Sequence, residues 1–475
     1  MKTYPVFLNG ELLVTANTIA VTNPATGEAF AKMSTVDRAA VARSLQHAHT
    51  AFLQWRQQPG KTRGEWLQKI ALEVERRRDE IARLMTLENG KPLAQSQAET
   101  AMTIDHLRWF GEEARRSYGR VIPNQVEGKR HLVLKSPIGV VGAISPWNFP
   151  LVLAVRKVAP AVAAGCAVVL KPARQTPLCS AVVAECVDTV KLPKGVFQLV
   201  AGSASEIGEE FLQNPLCRKI TFTGSTEVGK LLIRGAAEQV KPLSLELGGL
   251  APVLVFEDAD LDRAVQGTII AKFRNTGQSC IAANRIYVQR PIYERFLEAL
   301  VAKTRALKIG DGLEEGVEIG PLIDQEALDK ALGHIKDAIG RGARLLCGGR
   351  AVAGRKGYFL EPAVLADVPA QAECMREETF APIAPVCPFE TEAEAVEQAN
   401  ASNFGLSSYV FTRDLNRAFR LMDSVEAGMM GINDGVPTTS QAPFGGVKQS
   451  GWGRELGAEG MEAFLETKHV SLAIA

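Results

Sequence analysis

From residue 140 onward, short apolar runs alternate with amphipathic stretches. VVGAIS (140–145), AVVLKP (167–172), FQLVAG (197–202), KITFTG (219–224) and PLSLELGG (242–249) are separated by 176–190, 203–213 and 226–239. These runs are nearly continuous in apolar residues, so both of their faces must be covered, which calls for a parallel sheet with helices on each side. Sheets of that kind bind ligands beyond the carboxyl ends of their strands. A second alternating series begins at PVLVFED (252–258) and continues through NRIYVQ (284–289), PAVLADV (362–368) and SSYVFT (407–412). At 475 residues the chain is too long for a single core. The expectation is therefore an α/β protein with two doubly wound parallel-sheet domains.

The remainder of the chain has its own patterns. Residues 37–117 carry helical periodicity, most clearly over 65–88 and 96–117. The stretches 119–137 and 465–475 read as extended strands without local partners and predict a separate β arm. GINDGVPTTSQAPFGGVKQSGWGRE (431–455) is dense in Gly, Pro and small polar residues and predicts an ordered loop near a site.

Bulk properties exclude several classes. Hydrophobic residues are 46% and charged residues 23% of the chain, and the formal net charge is +1, so nothing points to nucleic acid or an anionic membrane. The cluster Arg76-Arg77-Arg78 reads as a solvated helix face. The most apolar stretch, around 151–170, holds Arg156, Lys157 and Pro160 and cannot be a membrane span. Eight scattered cysteines without metal-ligand spacing suggest reduced thiols, and the beginning MKTYPVFLNGELL has no leader pattern, so a cytoplasmic enzyme without a metal is expected.

Four features could carry chemistry. Cys280, in FRNTGQSC (273–280), is either a small buried hydrophobe or a nucleophile. Asn148, in SPWNFP (145–150), is held between two prolines after an apolar strand and either forms a local turn or donates to an oxyanion. Glu246, in LELGG (245–249), ends a strand before paired glycines and is either an ion-paired surface carboxylate or a general base. FTGSTEVG (222–229) runs from strand through a Gly-Ser turn into a helix whose free N–H groups could hold a pyrophosphate, although it is not GxGxxG. None of the six histidines lies in these segments, which weakens a thiol-hydrolase reading.

In this order, SPWNFP, LKPARQTP (170–177), FTGSTEVG, LELGG, FRNTGQSC, REETFAP (376–382) and PFGGVKQSGWGRE (443–455) resemble the aldehyde dehydrogenase superfamily over nearly the whole chain. The segments FRNTGQSCIAANRIYVQ and KIGDGLEEGVEIGPLID (308–324) are most similar to its succinate-semialdehyde dehydrogenase branch. The resemblance implies that Cys280 attacks the aldehyde, that Asn148 and the Cys280 N–H hold the oxyanion, and that Glu246 activates the hydrolytic water. It places Trp147 and Lys171 on the adenosine side of a dinucleotide, Gly224, Ser225, Val228 and Gly229 by its pyrophosphate, and Glu378 and Phe380 by the nicotinamide ribose and ring.

Arg174 stands where NAD-preferring members often carry glutamate, which implies NADP as the preferred cofactor with NAD possible. Arg156 and Arg274, with Thr439 or Ser440, match positions that receive a substrate's distal carboxylate. Ala282 replaces a second cysteine found in some members, so a local disulfide switch is ruled out. Glu455 and Glu466 match positions associated with a proton path or subunit contacts.

The implied function is oxidation of a small aldehyde with a distal carboxylate. The alternatives are a broad-specificity aliphatic aldehyde dehydrogenase and a catalytically silent binding protein on the same fold. The expected division is 1–117 with 138–247 for a dinucleotide-binding domain, 248–455 for a catalytic domain, and 118–137 with 456–475 for an oligomerisation arm that makes a homodimer or homotetramer.

Overall fold

The computed structural model describes residues 1–474. Among them, the first large sheet is eight-stranded, in the order Gly451–Trp452, Leu243–Glu246, Cys217–Thr223, Val140–Ile144, Ala167–Lys171, Phe197–Leu199, Val6–Leu8, Glu11–Leu13. Its middle strands are parallel and apolar on both faces. Val140–Ile144 is flanked by Ala167–Lys171 on one side and Cys217–Thr223 on the other, so the strand order reverses between Val140–Ile144 and Cys217–Thr223. The carboxyl ends of these two strands run directly into SPWNFP and TGST, and such a reversal is where open α/β sheets leave a crevice for a ligand.

The second sheet is seven-stranded: Arg344–Cys347, Ala363–Ala366, Ile383–Phe389, Ala283–Gln289, Ala251–Val255, Ser407–Phe411, Met429–Ile432. All its pairs are parallel except the edge strand Arg344–Cys347. Apolar clusters cover both of its faces, one built around Leu254, Leu365 and Phe389 and the other around Val253, Val288 and Phe296. Both domains are thus doubly wound, as the continuous apolar runs require.

A third sheet is the arm. Leu465–Ala473 pairs antiparallel with Lys129–Pro137 along nine register positions, and Arg120–Ile122 pairs with the other edge of Lys129–Pro137. Val121, Leu134 and Leu472 remain exposed on it.

The structure departs from the sequence expectations at four places. Residues 1–34, which carry no strong pattern, form a hairpin that extends the first sheet antiparallel at one edge and a small sheet of their own. Gly451–Trp452 pairs antiparallel with Leu243–Glu246, so the stretch before 455 returns to the first sheet instead of staying with the second. Helix Gly457–Glu462, expected as part of the arm, packs on the first domain, where Trp109 Nε1 donates to Gly457 O at 3.3 Å. The long 65–88 helix is broken at Arg77 into Gly60–Arg76 and Arg78–Asn89. Arg77 is not a solvated side chain, because it bridges Glu80 at 2.8 Å and Glu185 at 2.6 Å.

Helices Gly60–Arg76 and Leu93–Glu113 interlock through glycine. A Cβ at Gly64 would strike the carbonyl oxygen of Gly111 and come within 3.1 Å of its carbon. Gly64→Ala is therefore expected to push the helices apart and cost about 1–3 kcal/mol. Thermal unfolding of the variant should show a midpoint several degrees lower, and an unchanged midpoint would contradict this contact.

Candidate active site

The chain passes from the first sheet to the second within Leu247–Leu250. Glu246 is the last residue of its strand and Ala251 the first of the next. A Cβ at Gly249 would strike the carbonyl oxygen of Cys280, so the backbone after Glu246 lies against the loop that leads into strand Ala283–Gln289. The carboxyl end of one sheet thereby faces the amino end of the other, and the candidate residues collect between them.

Cys280 sits on a loop with an unusual backbone. Asn275 (φ 50°), Thr276 (φ 56°) and Gly277 (φ 75°) are left-handed in succession, a conformation that costs energy at the two non-glycine positions. The loop is strapped down: Asn275 N donates to Gln95 Oε1 at 2.7 Å, Gly320 N to Thr276 Oγ1 at 3.1 Å, and Ile323 N to Gln278 Oε1 at 2.9 Å. A Cβ at Gly277 would strike the Ala381 carbonyl oxygen, so REETFAP packs directly behind the loop. Among the described residues, no acceptor faces the Cys280 N–H.

Asn148 lies across the crevice, buried at 3% exposure. Its Nδ2 donates to Gln278 O at 3.1 Å, which leaves the second amide hydrogen free. Its own carbonyl accepts from Lys91 Nζ and Asn275 Nδ2, both at 2.7 Å. The Trp147 carbonyl accepts from Asn89 Nδ2 at 3.0 Å and Thr176 Oγ1 at 3.1 Å. The turn is therefore held by tertiary partners, and no local turn bond from the Asn148 side chain is formed.

Glu246 is buried and its Oε2 has no hydrogen-bond partner among the described residues. Burial first, then the Glu455 carboxylate, holds its proton well above the usual carboxylate range, against the pull of Lys157, Arg156 and Arg454. Lys157 Nζ donates to Glu455 Oε1 and Thr223 Oγ1, both at 2.6 Å. Glu455 is thus buried beside the site and is not a solubilising surface group, whereas Glu466 lies on the arm, 3.9 Å from Arg218. The Cys280 thiol is pushed up to about 12 by burial, with Glu378 and Glu246 adding to the effect and Arg156 opposing it. That shift favours the protonated thiol.

At the crevice of the first sheet, Lys171 is buried and pushed down to about 8 by desolvation, with no hydrogen-bond partner among the described residues. Arg174 is exposed three positions on. Gly224 N donates to Glu246 O at 3.1 Å, and Ser225 caps helix Thr226–Ala237 by accepting from Val228 N at 3.4 Å. A Cβ at Gly229 would lie 2.6 Å from Leu247, so glycine lets this helix approach the crossover, while Val228 is exposed. Trp147 and Phe380 meet edge to face with ring centroids 5.4 Å apart. Glu378 accepts from Gly249 N at 3.2 Å, and burial raises it to about 7.

At the far side, Arg156 is 3% exposed in the middle of helix Val152–Ala164, so it does not cap that helix. Its guanidinium lies over the Phe444 ring at 4.5 Å, and its Nε is 4.0 Å from Glu455 and makes no hydrogen bond. Arg274 packs over Phe149 at 5.4 Å and makes no ion pair among the described residues. The hydroxyls expected beside them are placed differently. Thr439 is exposed and donates to Gln441 Oε1 at 2.6 Å, and Ser440 Oγ is taken by Asp105. The buried hydroxyl without a partner in this loop belongs to Thr438, one residue earlier, because the loop turns its side chain inward there. His106, buried near Arg156 with both ring nitrogens unpartnered, carries no motif that would have singled it out.

The chain matches the aldehyde dehydrogenase family over residues 13–470. It belongs to that family. Among curated aldehyde dehydrogenases it is 50% identical to the 3-sulfolactaldehyde dehydrogenase of Pseudomonas putida, covering 96% of this chain and 93% of that one. It is 47% identical to the glutarate-semialdehyde dehydrogenase of Pseudomonas putida, covering 98% and 97%. With the succinate-semialdehyde dehydrogenase [NADP(+)] of Escherichia coli the identity is 46%, again covering 98% and 97%. A solved Escherichia coli NADP dependent enzyme superposes with a TM-score of 0.98 at 45% identity, covering 99% of this chain and 98% of that one.

The raised thiol gives a direct expectation for this aldehyde dehydrogenase. Among the described cysteines, Cys280 and Cys347 are partly exposed and the others are buried. Iodoacetamide labelling of Cys280 in the free protein, followed by peptide mass analysis, should be slow at pH 7 and still accelerating above pH 9. A labelling rate that levels off near pH 7 would contradict the protonated resting thiol.

Proposed function

We propose that this aldehyde dehydrogenase oxidises an aldehyde bearing a distal carboxylate, succinate semialdehyde or a close homologue, to the corresponding acid, with NADP preferred and NAD possible. The observation that carries the reading is the pair Arg156 and Arg274. One is buried with an unbonded Nε, and the other has no anionic partner among the described residues. A neutral aliphatic aldehyde would leave the Arg156 Nε without a hydrogen bond and Arg274 without an anion, whereas a distal carboxylate supplies charge-assisted hydrogen bonds to both. The names of the related enzymes, glutarate-semialdehyde, succinate-semialdehyde and 3-sulfolactaldehyde dehydrogenase, all denote aldehydes with an anion away from the carbonyl.

The residues present fit a dinucleotide. Lys171 is a buried cation that lacks a partner, and ribose hydroxyls would provide one. Gly224 and Gly229 keep the start of helix Thr226–Ala237 open and close to the crossover, since side chains there would meet Phe222 and Leu247. Ser225 and Val228 shape that helix start, Trp147 and Phe380 form an apolar wall, and Glu378 offers a carboxylate for ribose hydroxyls. Arg174, exposed at the rim, is free to clasp a 2′-phosphate. When bound, the dinucleotide supplies the hydride acceptor.

Cys280 Sγ passes its proton to ionised Glu246, which releases it to solvent, and the sulfur bonds to the aldehyde carbon, which makes that carbon tetrahedral and able to release hydride. The free amide hydrogen of Asn148 and the Cys280 N–H hold the oxygen as it becomes anionic. The acyl group left on Cys280 is hydrolysed by a water whose proton goes to Glu246, releasing the acid and the thiol. Because burial raises Glu246, its basic form is lost at a higher pH than an ordinary carboxylate would lose it, and hydrolysis weakens as pH falls through that raised value.

The first sheet with its helices serves as the nucleotide-binding domain and the second as the catalytic domain. The exposed apolar residues of the arm support assembly as a homodimer or homotetramer. The unpaired cysteines favour a reducing, cytoplasmic setting.

A kinetic matrix of several aldehydes against both cofactors tests this reading. Cys280→Ser should abolish cofactor reduction. Arg274→Ala should raise KM for succinate semialdehyde about tenfold or more, with little change for a simple aliphatic aldehyde. Equal effects on both substrates would remove the distal-anion role. Arg174→Glu should lower kcat/KM for NADP relative to NAD by about tenfold or more. An unchanged ratio would remove the 2′-phosphate role.

A further inference from the structure

The segment Glu88-Asn89-Gly90-Lys91 lies outside every motif that the resemblance singles out, yet Asn89 and Lys91 bond to consecutive carbonyls of the active-site turn, those of Trp147 and Asn148. Helix Arg78–Asn89 ends at Gly90, whose φ of 88° and close approach to Pro321 and Pro24 admit no side chain without strain. The chain then turns sharply, and Lys91 is driven into the interior at 1% exposure. There its Nζ donates to Glu99 Oε2 at 2.5 Å and to the Asn148 carbonyl at 2.7 Å, and it lies 4.1 Å from the centre of the Phe149 ring.

Glu99 completes the arrangement. Its other oxygen accepts from Leu151 N at 3.0 Å and Val152 N at 3.1 Å, the free N–H groups at the start of the helix that follows the turn. That helix start has no side-chain cap of its own within its sequence. Asn89 holds the preceding carbonyl, that of Trp147, at 3.0 Å. The peptide carbonyls on both sides of Asn148 are therefore held by this buried ion pair and Asn89, together with Asn275 Nδ2 and Thr176 Oγ1.

A buried pair of this kind does little for net stability, because desolvating both charges offsets their attraction. What it provides is direction: a full positive charge aimed at one carbonyl sets the orientation of that peptide and of the side chain it carries. An oxyanion donor is useful only when held within about 0.5 Å of its productive position. We propose that Lys91, paired with Glu99, is a positioning residue that sets the Asn148 amide for the developing oxyanion. This inference rests on the reading of Asn148 as the oxyanion donor.

The test is a double-mutant cycle on the full-length protein. Lys91→Met alone would leave Glu99 buried and unpaired and could unfold the chain. The informative variant is Lys91→Met combined with Glu99→Gln, which removes both charges and keeps an oxygen for Leu151 N and Val152 N. The readouts are the pre-steady-state burst of reduced cofactor with succinate semialdehyde, the NADP dissociation constant and the thermal midpoint, each measured with Asn148 and with Asn148→Ala.

With Asn148 present, the paired substitution should slow the burst about ten- to a hundredfold while leaving NADP affinity within about twofold. In the Asn148→Ala background, where the burst is already slow, the same substitution should add little. An equal further loss in that background, a parallel loss of NADP affinity, or no loss with Asn148 present would each overturn the positioning role. If Asn148→Ala by itself left the burst unchanged, the assignment of Asn148 would fail first, and the inference with it.

Discussion

The crossover from Glu246 to Leu250 is the constraint on which the rest of the site depends. Two separately wound sheets meet there, and the chain has room for only a few residues between the end of one strand and the start of the next. Glycine at 249 is required because the Cys280 carbonyl occupies the space a side chain would take. The strand that ends in a carboxylate thereby runs into backbone packed against Cys280, on the loop leading into a strand of the second sheet. Neither sheet alone contains both groups, so the chemistry belongs to the junction.

Charge is also buried at the junction. Glu246, Glu455, Lys157 and Arg156 share one interior, and burial with carboxylate repulsion holds Glu246 in its proton-bearing form beyond the usual range. Such a cluster is a poor source of stability, since desolvation cancels much of the Coulombic gain. It leaves the Glu246 Oε2 and the Arg156 Nε without hydrogen-bond partners among the described residues.

Much of this was legible along the chain. Both sheets could be read from the apolar runs, because a strand buried on two faces needs apolar residues whichever strands flank it. The helices between them followed the same logic. Where the pattern was silent, geometry was not: the hairpin of residues 1–34 and the return of Gly451–Trp452 to the first sheet are edge pairings made through backbone groups, which leave little trace in composition. The break at Arg77 was hidden by a helical pattern on both sides, and the buried hydroxyl without a partner in the 431–455 loop is that of Thr438, where the sequence pointed to Thr439 or Ser440, because loop side chains do not follow a period.

What the sequence by itself determined was the two-sheet architecture and the order of short motifs, since each depends on neighbouring residues or on burial that any partner could supply. Only the tertiary structure decided which groups meet. Lys91 reaches the Asn148 carbonyl across 57 residues of chain, and the Asn148 amide reaches Gln278 across 130. Contacts at such separations are set by how whole elements pack, and no local pattern of residue types encodes them.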